Sequence, residues 1–471
     1  MTASLLFHDY ETFGADPKND RPCQFAAIRT DLQLQPIGSP IVLYSQPTND
    51  YLPHPMACLI TGITPQLALQ RGIAEPQFIA KINDAMSQPE TCTLGYNSLR
   101  FDDEVTRFTL YRNFFDPYER EWQHGNSRWD LIDVTRATYA LRPEGITWPQ
   151  KEDGSPSFRL EELSQANQLA HSQAHDALSD VEATIALAGL IRQRQPKLYE
   201  YFFNLRRKQA VAALIDVINL TPLVHTSSKI PALQGCTTFV VPVAWHPDNK
   251  NAVIVIDLNG DLTPLIELSG DALRQRLYTA TADLAPGESR LPVKLVHINK
   301  CPILAPAKTL SAERADELGI DRQRCRDNLN TIKATPALRD KLTMLFAQQG
   351  DFSDVDAEAA LYDGFIKDAD KATMARVRQC QDPAQLSQLH FQDQGLQTLL
   401  FRYRARYFTA TLSDTELRQW QQYRQSVLLD GQRGLSLDAF MLELEQLAQT
   451  RENDPQALAV LKALYQYAQS L

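Results

Sequence analysis

Apolar and polar residues follow two different periods along this chain, and the places where the period changes mark its organisation. In the first part, the runs SLLFHDY, CQFAAIRT, IVLYSQP and TCTLGYN have the length and apolar content of strands. Stretches with a helical repeat lie between them, and that alternation predicts an α/β domain. Its last helix is expected in HDALSDVEATIALAGLIRQRQ, where Leu178, Val181, Ile185 and Ala188 recur at helical spacing. The polar RQRQPKLYE then marks a boundary near 192–200. Beyond it, TTFVVPVAWH, AVIVIDLNGD, LTPLIEL and VKLVHINKCPIL are short β-rich runs broken by Asn, Asp, Gly and Pro, which predicts a small barrel or sandwich. The acidic, small-residue stretch QQGDFSDVDAEAA marks a second boundary near 350. After it the helical period dominates, as in Leu442, Leu444, Leu447 and Leu458, Leu461, Leu464, and the last part is expected to be all-α. The expected domains are 1–192, 196–349 and 352–471. No internal repeat or low-complexity tract interrupts them.

Size and composition agree with several packed domains. At 471 residues, with 44% apolar and 22% charged positions, the chain has the material for more than one core. No apolar run is long enough to cross a bilayer, and MTASLLFHDYE lacks the basic start and long apolar segment of a signal peptide, so a cytoplasmic location without membrane contact is expected. The seven cysteines are scattered, with no CxxC pair, which argues for reduced thiols and against a disulfide framework or structural zinc. The net charge of −10 at first discourages a nucleic-acid partner. It is unevenly spread, however: residues 1–186 carry 14 Lys+Arg against 25 Asp+Glu, and residues 187–471 carry 33 against 32.

The acids responsible for that imbalance include three clusters with chemical potential. In FHDYETFGADP, Asp9 and Glu11 stand two apart on a predicted strand and so project to one side, at the strand's carboxyl end where open α/β sheets place their ligands. Two carboxylates about 4 Å apart repel by roughly 4 kcal/mol at an effective dielectric of 20, so one is protonated or a cation lies between them. In LGYNSLRFDDE a strand ends near Tyr96 and a helix begins near Phe101, putting Asp102 and Asp103 in its first turn, where the helix dipole favours acids. In AHDALSDVEAT, His175 precedes a helix that carries Asp180 five residues on. Spacing alone does not choose Asp102 over Asp103, or Asp180 over Asp176.

Taken together, DYE, FDD and HDALSD resemble the motifs of the DEDD exonuclease superfamily, whose fold is ribonuclease H-like, and the histidine resembles its DEDDh branch. On that resemblance Asp9, Glu11, Asp102 and Asp180 match the four acids and His175 the histidine. Further runs, GYNSLRFDDEVTRFTLYRNFFDPY, WQHGNSRWDLIDVTRATYALRPEGITWP and FRYRARYF, make nearly the whole chain similar to the bacterial exonuclease I family. The resemblance implies a ribonuclease H-like α/β exonuclease domain, an SH3-like β-barrel domain and an all-α C-terminal domain. It implies a processive 3′-to-5′ exodeoxyribonuclease specific for single-stranded DNA, releasing 5′-mononucleotides in DNA repair and recombination. It also implies a monomer that meets the acidic C-terminal tail of single-stranded DNA-binding protein.

The chemistry fits those residues. Hydrolysing a phosphodiester needs an activated water and charge stabilisation on the leaving oxygen, which two Mg²⁺ ions supply, with Mn²⁺ as a substitute. Four carboxylates without cysteine suit such hard cations, and His175 can accept the proton of the attacking water as general base. Single strands are held without sequence preference by aromatic faces and cations. Glu11, Arg107, Tyr118, Trp122, Arg136 and Arg159 are the candidates for substrate binding, with Arg159 in SFRLEEL the first of them. FRYRARYF interleaves Arg402, Arg404 and Arg406 with aromatics and reads equally as channel lining or as a helix whose aromatics are core and whose arginines are a solvated face. Residues 196–349 carry 19 Lys+Arg against 15 Asp+Glu, in keeping with a wall that faces DNA. Two rivals compete: an RNA-directed exonuclease of the same superfamily and a catalytically silent strand clamp.

Overall fold

Strand β1, Ser4–Thr12, runs through the middle of the first sheet. Leu5, Leu6 and Phe7 are each at most 1% exposed, as expected of a strand covered on both faces. The computed structural model describes residues 3–169, 176–347 and 355–471. They divide into two units that alternate in sequence: Met1–Ser127 with His171–Glu182 and Phe352–Leu471, and Arg128–Ala170 with Ala183–Asp351.

In the first unit, β2 (Pro22–Thr30) pairs antiparallel with β1 and with β3 (Ile41–Tyr44), while β4 (Thr91–Gly95) pairs parallel with β1. Strand β5, Ser127–Asp130, completes the order β3-β2-β1-β4-β5 where the chain leaves this unit. The parallel register stops at Phe7↔Leu94, whereas the pairing with β2 continues to Thr12↔Pro22. The carboxyl end of β1, including Asp9 and Glu11, therefore extends beyond β4. Gly95 ends β4 so close to β1 that a Cβ there would lie 2.6 Å from His8 O and 2.9 Å from Ser98 Cβ.

Among the described residues, three apolar clusters pack within this unit. One packs Leu6, Tyr10 and Phe25 of the sheet against Phe78, Ile79 and Ile82 of the helix Glu75–Met86. A second joins Phe13, Cys23 and Cys58 to Phe440, Leu444, Leu461 and Leu464 from the helices Leu437–Thr450 and Pro455–Gln469. The third joins Phe108, Tyr111 and Phe114 to Leu396, Leu399 and Leu400 of the helix Gln394–Tyr407. The C-terminal residues are helical, as their period predicts, but Leu442 points outward and is 56% exposed; the buried line passes through Leu444 instead.

The second unit contains an antiparallel sheet in the order β10-β6-β7-β8-β9, made of β6 (Leu223–Thr226), β7 (Thr237–Trp245), β8 (Ala252–Asp257), β9 (Val293–His297) and β10 (Ile303–Pro306). One expected strand is not one. LTPLIEL forms the helix Thr263–Glu267, because Pro264 lacks the N–H a strand ladder needs and suits the first turn of a helix. Helices Gly270–Tyr278, Arg322–Ala334 and Ala337–Ala347 add to the same unit, so it is less purely β than its apolar runs suggest. Among the described residues no helix is long and apolar enough to cross a membrane, and none of the cysteines forms a disulfide.

Candidate active site

The overhang of β1 determines how the acids meet. Beyond Phe7 the strand has no partner in β4, and the Tyr10 N–H donates instead to Asp102 Oδ1 at 3.0 Å. Asp102 opens the helix Asp102–Arg112, which has no side-chain cap and carries Asp102, Asp103 and Glu104 in its first turn, where the backbone dipole favours negative charge. The Thr106 hydroxyl lies 2.8 Å from Asp102 O and 3.0 Å from the Tyr10 hydroxyl, tying helix and strand together one turn further on.

Neighbouring acids are separated by their partners. Asp103 forms a buried ion pair with Arg120 at 2.8 Å, and its N–H donates to Ser98 O. Asp102 instead acts on Asp9, whose carboxyl is raised well above its ordinary value, first by burial and then by repulsion from Asp102, Glu11, Asp180 and Asp176. Burial likewise leads in pushing Glu11 up to about 9, with Asp180, Asp102 and Asp176 adding to it. Carboxylate oxygens of Asp9, Glu11 and Asp180 lie within 4.8 Å of one another. Buried acids that resist ionisation next to each other are stabilised as anions by a cation among them. Their donor set is all oxygen, so these residues fit a hard divalent cation.

The other expected site residues are placed as follows. His175 lies outside the described residues. Arg107 is buried, bonded to Glu121 at 2.7 and 2.9 Å, to Glu104 at 2.7 Å and to the Tyr362 hydroxyl at 3.2 Å, and sits 5.3 Å from the ring of half-buried Tyr118. Those contacts leave one of its five N–H groups for a further acceptor. Trp122 is 64% exposed. In the second unit, Arg136 is paired with Asp133 and lies 5.8 Å from the Phe158 ring, whereas the Arg159 side chain is 79% exposed and makes a loose 3.7 Å pair with Glu162.

FRYRARYF follows the core reading for its aromatics but not for its arginines, which are buried in ion pairs and do not form a solvated face. Arg402 pairs with Asp356 at 2.7 Å, Arg404 with Glu416 at 2.5 Å, and Arg406 with Asp50 and Glu358 at 2.6 and 2.5 Å. All three side chains are at most 8% exposed, and Tyr403 and Phe408 pack on the third apolar cluster. Arg406 ties its helix to Asp50, while Arg402 and Arg404 pair with acids of the C-terminal residues themselves. One polar residue beside the acids of the site escaped the sequence reading, Gln24, which donates to Asp176. The available signal was a lone amide in the otherwise apolar CQFAAI, in register with Glu11.

Known proteins resemble this chain along its whole length. A model for exonucleases matches residues 6–188, one for the exonuclease I SH3-like domain matches 206–348, and one for the exonuclease I C-terminal domain matches 355–471. Exodeoxyribonuclease I of Escherichia coli K12 is 52% identical over 472 aligned residues, covering 100% of this chain and 98% of the relative. The crystal structure of E. coli exonuclease I with a dA16 oligonucleotide superposes with a TM-score of 0.95 at 52% identity, covering all of both chains. A zinc-bound E. coli exonuclease I–single-stranded DNA complex gives 0.94 at 52%, covering 100% of this chain and 99% of that one. A structure of SSB and exonuclease I with the inhibitor CFAM gives 0.92 at 50%, covering all of both.

Proposed function

The chain belongs to the exonuclease I family, and from that premise we propose that it is a single-stranded DNA-specific exodeoxyribonuclease working from the 3′ end. It releases 5′-mononucleotides, acts processively and serves DNA repair and recombination in the cytoplasm as a monomer. Its exonuclease, SH3-like and helical parts are assigned to 1–192, 196–349 and 352–471. The observation that carries the reading is the convergence of the Asp9, Glu11 and Asp180 oxygens within 4.8 Å, at the end of a strand whose next N–H is bonded to Asp102.

Asp9, Glu11, Asp102 and Asp180 would hold two Mg²⁺ ions, with Mn²⁺ as a substitute. When bound by these acids, divalent cations would supply charge neutralisation at the substrate phosphate, a more acidic attacking water and stabilisation of the leaving oxygen. The chain's own residues supply the rest. Overhanging β1 presents Asp9 and Glu11 along one edge, and the Tyr10 N–H holds Asp102 against them. His175 takes the proton of the attacking water in its neutral form. Exposed Arg159 and Trp122 meet the strand through phosphate contact and base stacking, Tyr118 offers a second ring, and Arg107 and Arg136 hold the surrounding acids and rings in place. The chain also binds single-stranded DNA-binding protein, and the acidic C-terminal tail of that partner is assigned as the contacting element.

Labelled single-stranded DNA, the matched RNA, and DNA blocked at either end test this reading in Mg²⁺ and in EDTA. The expected result is loss of the DNA from an open 3′ end in Mg²⁺ alone, with Asp9→Ala and Asp180→Ala binding the strand but not shortening it. Faster loss of the RNA, or intact DNA in Mg²⁺, would overturn it.

A further inference from the structure

The segment around Asp180 holds two acids one helical turn apart, and Asp180, not Asp176, joins Asp9 and Glu11 in the convergent set. A side chain from another strand accounts for the difference. Gln24 on β2 stands opposite Glu11 and is 2% exposed. Its Nε2 donates to the Tyr44 hydroxyl at 3.0 Å and to Asp176 Oδ1 at 3.1 Å, and its Oε1 accepts from the Ala177 N–H at 3.3 Å. Both N–H groups and the carbonyl of the amide are thereby used. Asp176 Oδ2 accepts from the Ser179 N–H at 3.3 Å, as a helix cap does, and Asp176 O accepts from the Asp180 N–H at 3.1 Å.

We propose that Gln24 is a positioning residue for the cation centre, fixing the first turn of the helix Ala177–Arg194 so that Asp180 faces Asp9 and Glu11 while Asp176 is held as its cap. The inference rests on the metal-dependent nuclease reading and deepens it. The mechanical logic is direct. Glu11 and Gln24 are register partners, so a rigid amide at Gln24 refers the helix start to the same strand pair that carries two of the acids. With its far N–H anchored on Tyr44, the amide cannot swing without breaking a bond. An amide lost here leaves the Ala177 N–H and Asp176 Oδ1 without this partner and lets the first turn rotate, moving Asp180 relative to β1. Groups one step behind a metal's ligands commonly set its affinity in this way.

The test compares the full chain with Gln24→Ala, Gln24→Glu and Tyr44→Phe. Mn²⁺ affinity is measured by calorimetry without DNA. Half-saturating Mg²⁺, kcat and KM are measured on labelled single-stranded DNA, with melting followed by circular dichroism. Gln24→Ala is expected to weaken Mn²⁺ binding and to raise half-saturating Mg²⁺ by about 10- to 100-fold, with KM for DNA within about twofold of the unaltered chain. Gln24→Glu, equal in volume but placing a carboxylate against Asp176, should be impaired at least as much, and it carries the comparison if the alanine variant does not fold. Tyr44→Phe, which removes only the outer anchor, should fall between. Mn²⁺ affinity within twofold of the unaltered chain in both Gln24 variants, or a rise in KM alone, would overturn the positioning role. If the unaltered chain hydrolyses no DNA, the nuclease reading fails, and the Mn²⁺ titration still decides this one.

Discussion

At the scale of single residues, the adjacent pair Asp102 and Asp103 shows how two identical side chains come to opposite electrostatic surroundings. Asp103 is the nearest acid to buried Arg120, whose other carboxylate partner, Glu121, lies at 3.8 Å and is shared with Arg107, so Asp103→Asn removes the main ion pair and should destabilise the chain by about 3 kcal/mol. Asp102 stands in a cluster whose members repel one another, so Asp102→Asn relieves repulsion in the absence of cations. In EDTA its melting temperature should equal or exceed that of the unaltered chain, while hydrolysis in Mg²⁺ falls by orders of magnitude. Thermal melts of both variants, paired with rate measurements, check this; a large loss of stability in Asp102→Asn with full activity would reverse the assignment. Sequence spacing reveals that Asp9 and Glu11 share a side, because a strand's period of two guarantees it. It could not divide Asp102 from Asp103, since the deciding partner, Arg120, is 17 residues away and comes near only in the fold.

At the scale of elements, the site depends on β1 running past β4 and on how closely those strands approach at Gly95. A methyl group there would meet His8 O, a backbone atom that cannot turn aside, so β1 itself must shift. Gly95→Ala is expected to destabilise by about 1–3 kcal/mol and to lower hydrolysis by moving Asp9, one residue from the contact. A variant with unchanged melting and unchanged rate would show that the approach is not needed. Four of the five strands of the first sheet were legible because each is a run rich in apolar residues, whereas β5, SRWD, is too short and polar to show. LTPLIEL was misread because a five-residue helix has too few turns to display a period, and its proline, which favours a helix start, is also an ordinary strand breaker. FRYRARYF could not be decided from its own pattern either. Its arginines find their acids at Asp50, Asp356, Glu358 and Glu416, in other elements of the unit.

At the scale of the whole molecule, buried ion pairs tie the C-terminal helices to the N-terminal sheet within the first unit. Glu358, 1% exposed, receives Arg21, Arg402, Arg406 and Arg433 at 2.5–3.5 Å. Glu75 is held by Arg112 and Asn113. Burial on its own would raise both carboxyls, but the guanidiniums outweigh it, holding Glu75 at about 2 and Glu358 well below its ordinary value. A depressed acid stabilises the fold above its unfolded value and loses that stabilisation as pH falls toward the folded one. Stability should therefore decline from about pH 4.5 toward pH 2, and Glu75→Gln should flatten part of that decline; an unchanged acid limb in circular-dichroism melts would contradict it. The division into strand-rich and helical stretches was legible from hydropathy, but the sharing of cores between the two ends of the chain was not, because it is a property of contacts more than 300 residues apart. The central claim is that the acids at the end of β1 hold the cations that drive strand hydrolysis. Anomalous diffraction from crystals soaked in Mn²⁺ tests it most directly: peaks among Asp9, Glu11, Asp102 and Asp180 are expected, and their absence from a protein that degrades DNA in the same Mn²⁺ buffer would contradict the account.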